Sequence, residues 1–480
     1  MLEQLKRLPT GIAGLDQLLK GGLVAGASYI VQGRPGSGKT ILANHLSFNH
    51  ARNGGKVLVV SLLSESHERL FQYLSTLEFF NPNRIGDQIQ FVSAFDTLEN
   101  EGLEEVVKLL RREISRQKAT VLVVDGLLNA RTKADSQLDT KKFIGELQGH
   151  AAFAGCTVLF LTSARLDDGS PEHTMVDGVI EMGEELIGTR SVRRIQLRKT
   201  RGSGALSGVH ECVITDHGLV VYPRLESLYS HPTRPDPQDR QMIGSGSPSL
   251  DALIGGGLVR TSATIIMGPP GSGKTSLGIQ FLAEATPDAP GLLFGFYESP
   301  PLLLLKAAAL EFDFESMERN GALHIAWQPT TQGLLDGHGA RLLEMVDTHG
   351  VKRVLIDSLG GMSRVCTNPA RLGDFFSALI GELRGRGVTV LCTCEMQGML
   401  GPALGLPTPD LASVVDNIFL LRLVENPSEL TRTMTILKVR DSVYDPAPLE
   451  AVIGSRGLHF IKTSRSSEPV LTNTVSSTRN

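Results

Sequence analysis

A glycine-rich octapeptide occurs twice in this chain, GRPGSGKT from Gly33 to Thr40 and GPPGSGKT from Gly268 to Thr275, with Lys39 and Lys274 235 residues apart. Each copy fits G-x-x-x-x-G-K-[ST]. In that pattern glycines let successive backbone N–H groups converge on phosphate oxygens, the lysine neutralises charge, and the Thr hydroxyl reaches Mg²⁺. Short apolar runs precede the loops (Ser28–Gln32 and Thr264–Met267) and helical segments follow them (Ile41–Asn49 and Ser276–Ala285). A strand–loop–helix order sets the phosphates at a helix N-terminus, where unpaired N–H groups and the positive dipole end favour anions. The phosphate-binding candidates are therefore Gly33, Pro35, Gly36, Ser37, Gly38, Lys39, Thr40 and Ile41, and Gly268, Pro270, Gly271, Ser272, Gly273, Lys274, Thr275 and Ser276.

The repeat also divides the chain. With 480 residues, length alone allows two to four domains, but the doubling argues for two. We expect a first domain over 1–223, an exposed Pro- and charge-rich linker over 224–240, a second domain over 241–462 and a disordered Ser/Thr-rich tail over 463–480. Flanking segments keep the register. GLD-type openings run over Pro9–Leu23 and Ile243–Leu258, with Asp16 and Asp251 again 235 apart.

Downstream, apolar strands end in acid-bearing turns, VLVVSLLSES at Val57–Ser66 and LLFGFYESP at Leu292–Pro300, which brings Glu65 and Glu298 into correspondence. A carboxylate there can orient or deprotonate water, or simply stabilise the start of the next helix. Two further strands, TVLVVD and RVLIDS, end at Asp125 and near Asp357. An Asp at the carboxyl end of a buried strand beside a phosphate loop is the expected holder of Mg²⁺ through water, joining Thr40 and Thr275 as metal candidates. Continuous apolar strands alternating with helices imply an α/β fold: two mostly parallel, doubly wound sheets with ligands at the strands' carboxyl ends.

Each half then carries a strand with Lys-x-Arg, Lys199 with Arg201 and Lys438 with Arg440. Alternation sends both side chains of a pair to one face, where they can address one phosphate group.

Composition narrows the field. Formal net charge is −4 and pI about 6.3, so there is no electrostatic footprint for sequence-independent nucleic-acid binding. No apolar run approaches the roughly 20 residues that cross a bilayer, and MLEQLKRLPT lacks the apolar stretch of a secretory signal. Five cysteines (Cys156, Cys212, Cys366, Cys392 and Cys394) form neither an even disulfide framework nor paired C-x-x-C metal knuckles, which points to a reducing cytoplasm.

The GLD-type opening, phosphate loop, strand-end Glu, strand-end Asp and Lys-x-Arg, each present twice, resemble the KaiC family of RecA-like ATPases from Pro9 to Phe460. The resemblance implies tandem RecA-like P-loop NTPase domains stacked as two rings of six, with ATP and Mg²⁺ between neighbouring subunits. Lys199, Arg201, Lys438 and Arg440 would then reach the γ-phosphate of the adjacent subunit, in the arginine-finger role. A KaiB-like or other signalling protein is the implied partner. The chain departs from the family's two consecutive glutamates: Ser64-Glu65 and Tyr297-Glu298 keep one acid each, which implies slow hydrolysis. It also keeps one hydroxyl, Ser413, where clock-type members autophosphorylate adjacent Ser and Thr. Ser413 is a candidate phospho-acceptor or an ordinary strand-start serine.

Three functions remain at this stage. The first is a regulatory hexameric ATPase with Ser/Thr autokinase capacity. The second is a RecA-like DNA-dependent ATPase or recombination accessory, disfavoured because the post-strand loops 126–139 and 359–371 contain no aromatics for base stacking. The third is a nucleotide-locked scaffold with little hydrolysis.

Overall fold

The computed structural model describes residues 5–462 apart from 135, 164–169, 232, 235–240, 329, 332, 397–409, 427–428, 441–443 and 445. The chain divides into two compact units, 1–228 and 229–480.

In the first unit the sheet strands are β1 (Ser28–Gln32), β2 (Val57–Ser61), β3 (Ile89–Ser93), β4 (Val121–Asp125), β5 (Thr157–Thr162), β6 (Gly178–Ile187), β7 (Arg190–Thr200), β8 (Val209–Thr215) and β9 (Gly218–Tyr222). Their order across the sheet is β9-β8-β7-β6-β1-β5-β4-β2-β3. The second unit repeats it with β10 (Ala263–Gly268), β11 (Gly291–Gly295), β12 (Leu323–Trp327), β13 (Arg353–Asp357), β14 (Thr389–Glu395), β15 (Asn417–Asn426), β16 (Glu429–Val439), β17 (Leu449–Gly454) and β18 (Gly457–Lys462). The order there, β12-β11-β13-β14-β10-β15-β16-β17-β18, corresponds strand for strand.

From β3 to β6, and from β12 to β15, neighbours are parallel; the last three strands of each half add antiparallel pairs. The apolar strand runs predict these mostly parallel sheets, and the two units match the tandem RecA-like domains that the resemblance implies.

Period-two alternation accounts for the packing. In the first unit Val31, Val59, Val123 and Leu161 join one buried cluster with Leu42 and Leu46 of the helix Lys39–Arg52. Ile30, Val60, Val124 and Phe160 join the opposite cluster, with Leu110 and Ile114 of the helix Leu103–Gln117 and Phe143 and Leu147 of the helix Gln137–Phe153. Because both faces are covered, the strands read as unbroken hydrophobic runs rather than alternating ones. In the second unit Ile266, Leu293, Leu355 and Leu391 pack on Leu277 and Phe281 in the same manner.

Three expectations need correction. The post-strand segments 126–139 and 359–371 are not loops: they contain the helix Leu127–Lys133 and the start of Gln137–Phe153, and the helix Leu359–Arg364 with a 3₁₀ turn at Pro369–Arg371. Leu127 and Leu359 are buried and pull these turns onto the core. The linker is not uniformly exposed either. Residues Leu225–Leu228 form a helical turn with Leu225 buried, and Thr233 donates its N–H and hydroxyl to the Glu382 carboxylate at 2.7 Å each. Ser413 is not at a strand start; it lies in the helical turn Leu411–Val414 ahead of β15. The expected tail, 463–480, lies outside the described residues.

Candidate functional site

Each phosphate loop leaves the carboxyl end of the central strand of its sheet. Gly38 and Gly273 cap the following helices, Lys39–Arg52 and Lys274–Ala283, at φ 100° and 101°, a left-handed conformation that a side chain would strain. At the strand exit, a Cβ on Gly33 would come within 2.1 Å of the Met182 carbonyl oxygen, so the loop turns there only as glycine. The helices begin at the lysines, two residues before the apolar pattern suggests.

Lys39 Nζ donates to the carbonyl oxygens of Gly33 (2.8 Å) and Arg34 (2.9 Å), and Lys274 Nζ donates to those of Gly268 and Pro269 (2.8 Å each). Burial pushes both ammonium groups below their ordinary pKa, against the opposing pull of Asp125 on Lys39 and of Glu395 and Asp357 on Lys274.

Sheet register brings the acids to the loops. Ser61 pairs with Asp125 and Asp125 with Leu161; Gly295 pairs with Asp357 and Gly268 with Glu395. Thr40 Oγ1 donates to Asp125 Oδ2 at 3.3 Å and Thr275 Oγ1 to Asp357 Oδ2 at 3.0 Å; Thr393 Oγ1 also donates to Asp357. Burial raises the pKa of both aspartates, only partly offset by these hydroxyls and the loop lysines. A carboxylate held in that state gains from a nearby cation, so a Thr hydroxyl beside it is a donor set that suits Mg²⁺.

The first cavity, about 260 Å³, is lined by Pro35, Gly36, Lys39, Thr40, Glu65, Asp125 and Ser163, with His67, Leu70 and Phe91 forming an apolar wall. The second, about 280 Å³, is lined by Pro270, Gly271, Gly273, Lys274, Thr275, Ser276, Glu298, Asp357 and Glu395. Of the remaining loop candidates, Ile41 packs against the core, and Ser37 and Ser272 are buried with hydroxyls that find no partner among the described residues.

Lys306, Glu395, Thr393 and His67 belong to these walls and were not singled out from sequence. Only Glu395 gave a signal: it closes a strand that pairs with the loop's own strand.

The Lys-x-Arg pairs sit elsewhere. Lys199 lies opposite Val179, and Lys438 opposite Ile418, at the start of the strands flanking β1 and β10, the end remote from the loops. None of the four lines the cavity of its own unit.

Each pair does converge, as alternation predicts. Lys199 Nζ (2.6 Å to His173 O, 3.4 Å to Thr174 O) meets an Arg201 Nη on the Thr174 carbonyl at 3.4 Å. Lys438 Nζ holds the carbonyls of Ala412 and Val415 at 2.8 and 2.6 Å, while Arg440 binds Asp416 (3.0 Å) and the Ser413 carbonyl (3.2 Å).

The KaiC ATPase family model matches residues 8–226 and again 243–465. The chain belongs to the KaiC family. Among its relatives, the circadian clock oscillator protein KaiC of Prochlorococcus marinus (strain MIT 9313) is 26% identical over 474 residues, covering 95% of this chain and 92% of that protein. KaiC of Synechococcus elongatus (strain ATCC 33912 / PCC 7942) is 24% identical over 495 residues, covering 98% and 92%. KaiC of Parasynechococcus marenigrum (strain WH8102) is 25% identical over 473 residues, covering 95% and 90%. Membership supports an ATPase of KaiC type and, with it, nucleotide binding. No helix among the described residues is long and apolar enough to cross a membrane.

Proposed function

We propose that this KaiC-family chain is a Mg²⁺-dependent ATPase that works as a hexamer, with each ATP held between neighbouring subunits. The observation that carries this reading is the position of Lys199, Arg201, Lys438 and Arg440 at the strand ends remote from their own phosphate loops. Four residue steps separate Thr264 from Gly268, which is about 13 Å along a strand, beyond the reach of an arginine side chain in the same unit. A neighbour's loop is the natural target, because head-to-tail contacts close into rings.

In this mechanism the loop N–H groups with Lys39 or Lys274 grip the phosphates, and Glu65 or Glu298 orients water. Thr40 with Asp125, and Thr275 with Asp357, would hold Mg²⁺, which neutralises phosphate charge when bound. The neighbour's Lys-x-Arg then offsets the charge that develops on the transferred group.

The same geometry supports an autokinase reading for Ser413. The residue is exposed, and its carbonyl is held by Arg440, so a phosphate brought to Arg440 by a neighbour also arrives beside Ser413. A nucleotide-locked scaffold remains the second reading, favoured by the lone glutamate, Glu65 or Glu298, that each half keeps where the family has two in succession. A DNA-dependent ATPase is disfavoured, since the segments after β4 and β13 are helical and carry no aromatics. A cytoplasmic regulatory role with a KaiB-like or other signalling protein as partner belongs to the same proposal.

Size-exclusion chromatography with light scattering, with and without ATP and Mg²⁺, tests the assembly. Six subunits with nucleotide are expected; a monomer under both conditions refutes the ring. Phosphate release separates the ATPase from the scaffold, and mapping after incubation with labelled ATP decides Ser413.

A further inference from the structure

The two cavities differ at the acid. In the first unit Glu65 is exposed and accepts no hydrogen bond among the described residues; the neighbouring cation, Arg69, donates instead to the Tyr73 hydroxyl. In the second unit Lys306 Nζ is ion-paired with Glu298 Oε1, and both side chains line the cavity that contains Lys274. The other oxygen, Glu298 Oε2, is buried and finds no donor among the described residues.

Lys306 stands on the helix Pro300–Ala309, eight residues beyond Glu298, where the first unit has Tyr73 eight residues beyond Glu65. A carboxylate orients or deprotonates water only through an oxygen that water can reach and whose charge is not already matched. In Glu298 one oxygen is held by an ammonium and the other is turned into the wall. The Lys306 side chain is half exposed, at 50%, so this pair can open without unfolding the helix.

We propose that Lys306 is a positioning residue that restrains Glu298 and makes the second site the slower of the two. The inference rests on the reading of Glu298 as the water-orienting acid. It predicts that the lysine acts on turnover through that acid alone, with no direct part in gripping nucleotide.

The test uses the full chain carrying Glu65→Gln, which mutes water activation at the first site while leaving its phosphate loop intact. In that background Lys306→Met, Lys306→Arg, Glu298→Gln and the Lys306→Met/Glu298→Gln double variant are compared by steady-state phosphate release across ATP concentrations. Lys306→Met is expected to raise kcat about two- to fivefold with KM unchanged, the range expected for losing a partly exposed ion pair. Lys306→Arg keeps the charge and should retain the parental rate, and the double variant should match Glu298→Gln alone.

A fall in kcat or a rise in KM for ATP with Lys306→Met assigns the lysine to phosphate binding and overturns the proposal. So does an unchanged rate with Lys306→Met when Glu298→Gln abolishes turnover. If Glu298→Gln itself changes nothing, the role given to the acid fails first, and the restraint with it.

Discussion

Removing Arg201 and Arg440 together, as Arg201→Ala plus Arg440→Ala, separates a ring from a self-sufficient monomer. Within one unit, about 13 Å of strand lies between the basic pair and the loop, and at that distance in water the attraction between unit charges is about 0.3 kcal/mol. Such a loss lowers the rate by less than about twofold. A neighbour's guanidinium about 4 Å from the transferred phosphate, at a surface-like dielectric, is worth about 4 kcal/mol, so its loss lowers turnover roughly 1000-fold.

The decisive assay mixes this variant with Lys39→Ala plus Lys274→Ala. Each should be inactive alone, yet wherever an intact loop meets an intact arginine from the next subunit a complete site should form. Random rings made from equal amounts contain that junction at roughly a quarter of their interfaces. Phosphate release should recover to that fraction after subunit exchange. Near wild-type activity in the arginine variant alone, or no recovery in the mixture, refutes completion across subunits.

Burial raises the pKa of Asp125 and Asp357, so the folded chain retains protons that the unfolded chain releases above the ordinary value of 3.8. Stability without Mg²⁺ should therefore fall as pH rises from that value through the raised pKa values, and Mg²⁺ with ATP should restore it most at neutral pH. Thermal melts across that span check the sign, and Asp125→Asn with Asp357→Asn should flatten the profile. Asp16 of the GLD opening accepts bonds from the Thr10 N–H (2.8 Å), the Thr10 hydroxyl (2.7 Å) and the Gly11 N–H (3.0 Å). Asp16→Ala should destabilise the first unit by about 1–3 kcal/mol, measured by chemical denaturation, while ATP affinity stays near wild type.

The repeat, the mostly parallel sheets and the loop–acid proximity were legible because each rests on local chemistry. A parallel strand covered on both faces is written as an apolar run, and its carboxyl end is marked by glycine or aspartate, as at Gly33 and Asp125. The role of Asp16 was less legible: its constant spacing to the loop marks the repeat but not its task, which is to accept bonds from Thr10 and Gly11. Lys306 and His67 left no trace in the sequence pattern, because a helix places them in the cavity wall and nothing about a single lysine or histidine announces that. The helices after β4 and β13 were missed for a related reason. Short segments without periodicity read as loops until buried anchors such as Leu127 and Leu359 fix them.

The ammonium groups of Lys39 and Lys274, each resting on two carbonyl oxygens of its own loop, set an entry threshold. A ligand displaces those dipoles only by offering more negative charge than they do, at the same spot and on several oxygens at once. Both loops should therefore pass over small singly charged ions and favour polyphosphate tails, a discrimination to which the loop carbonyls themselves contribute.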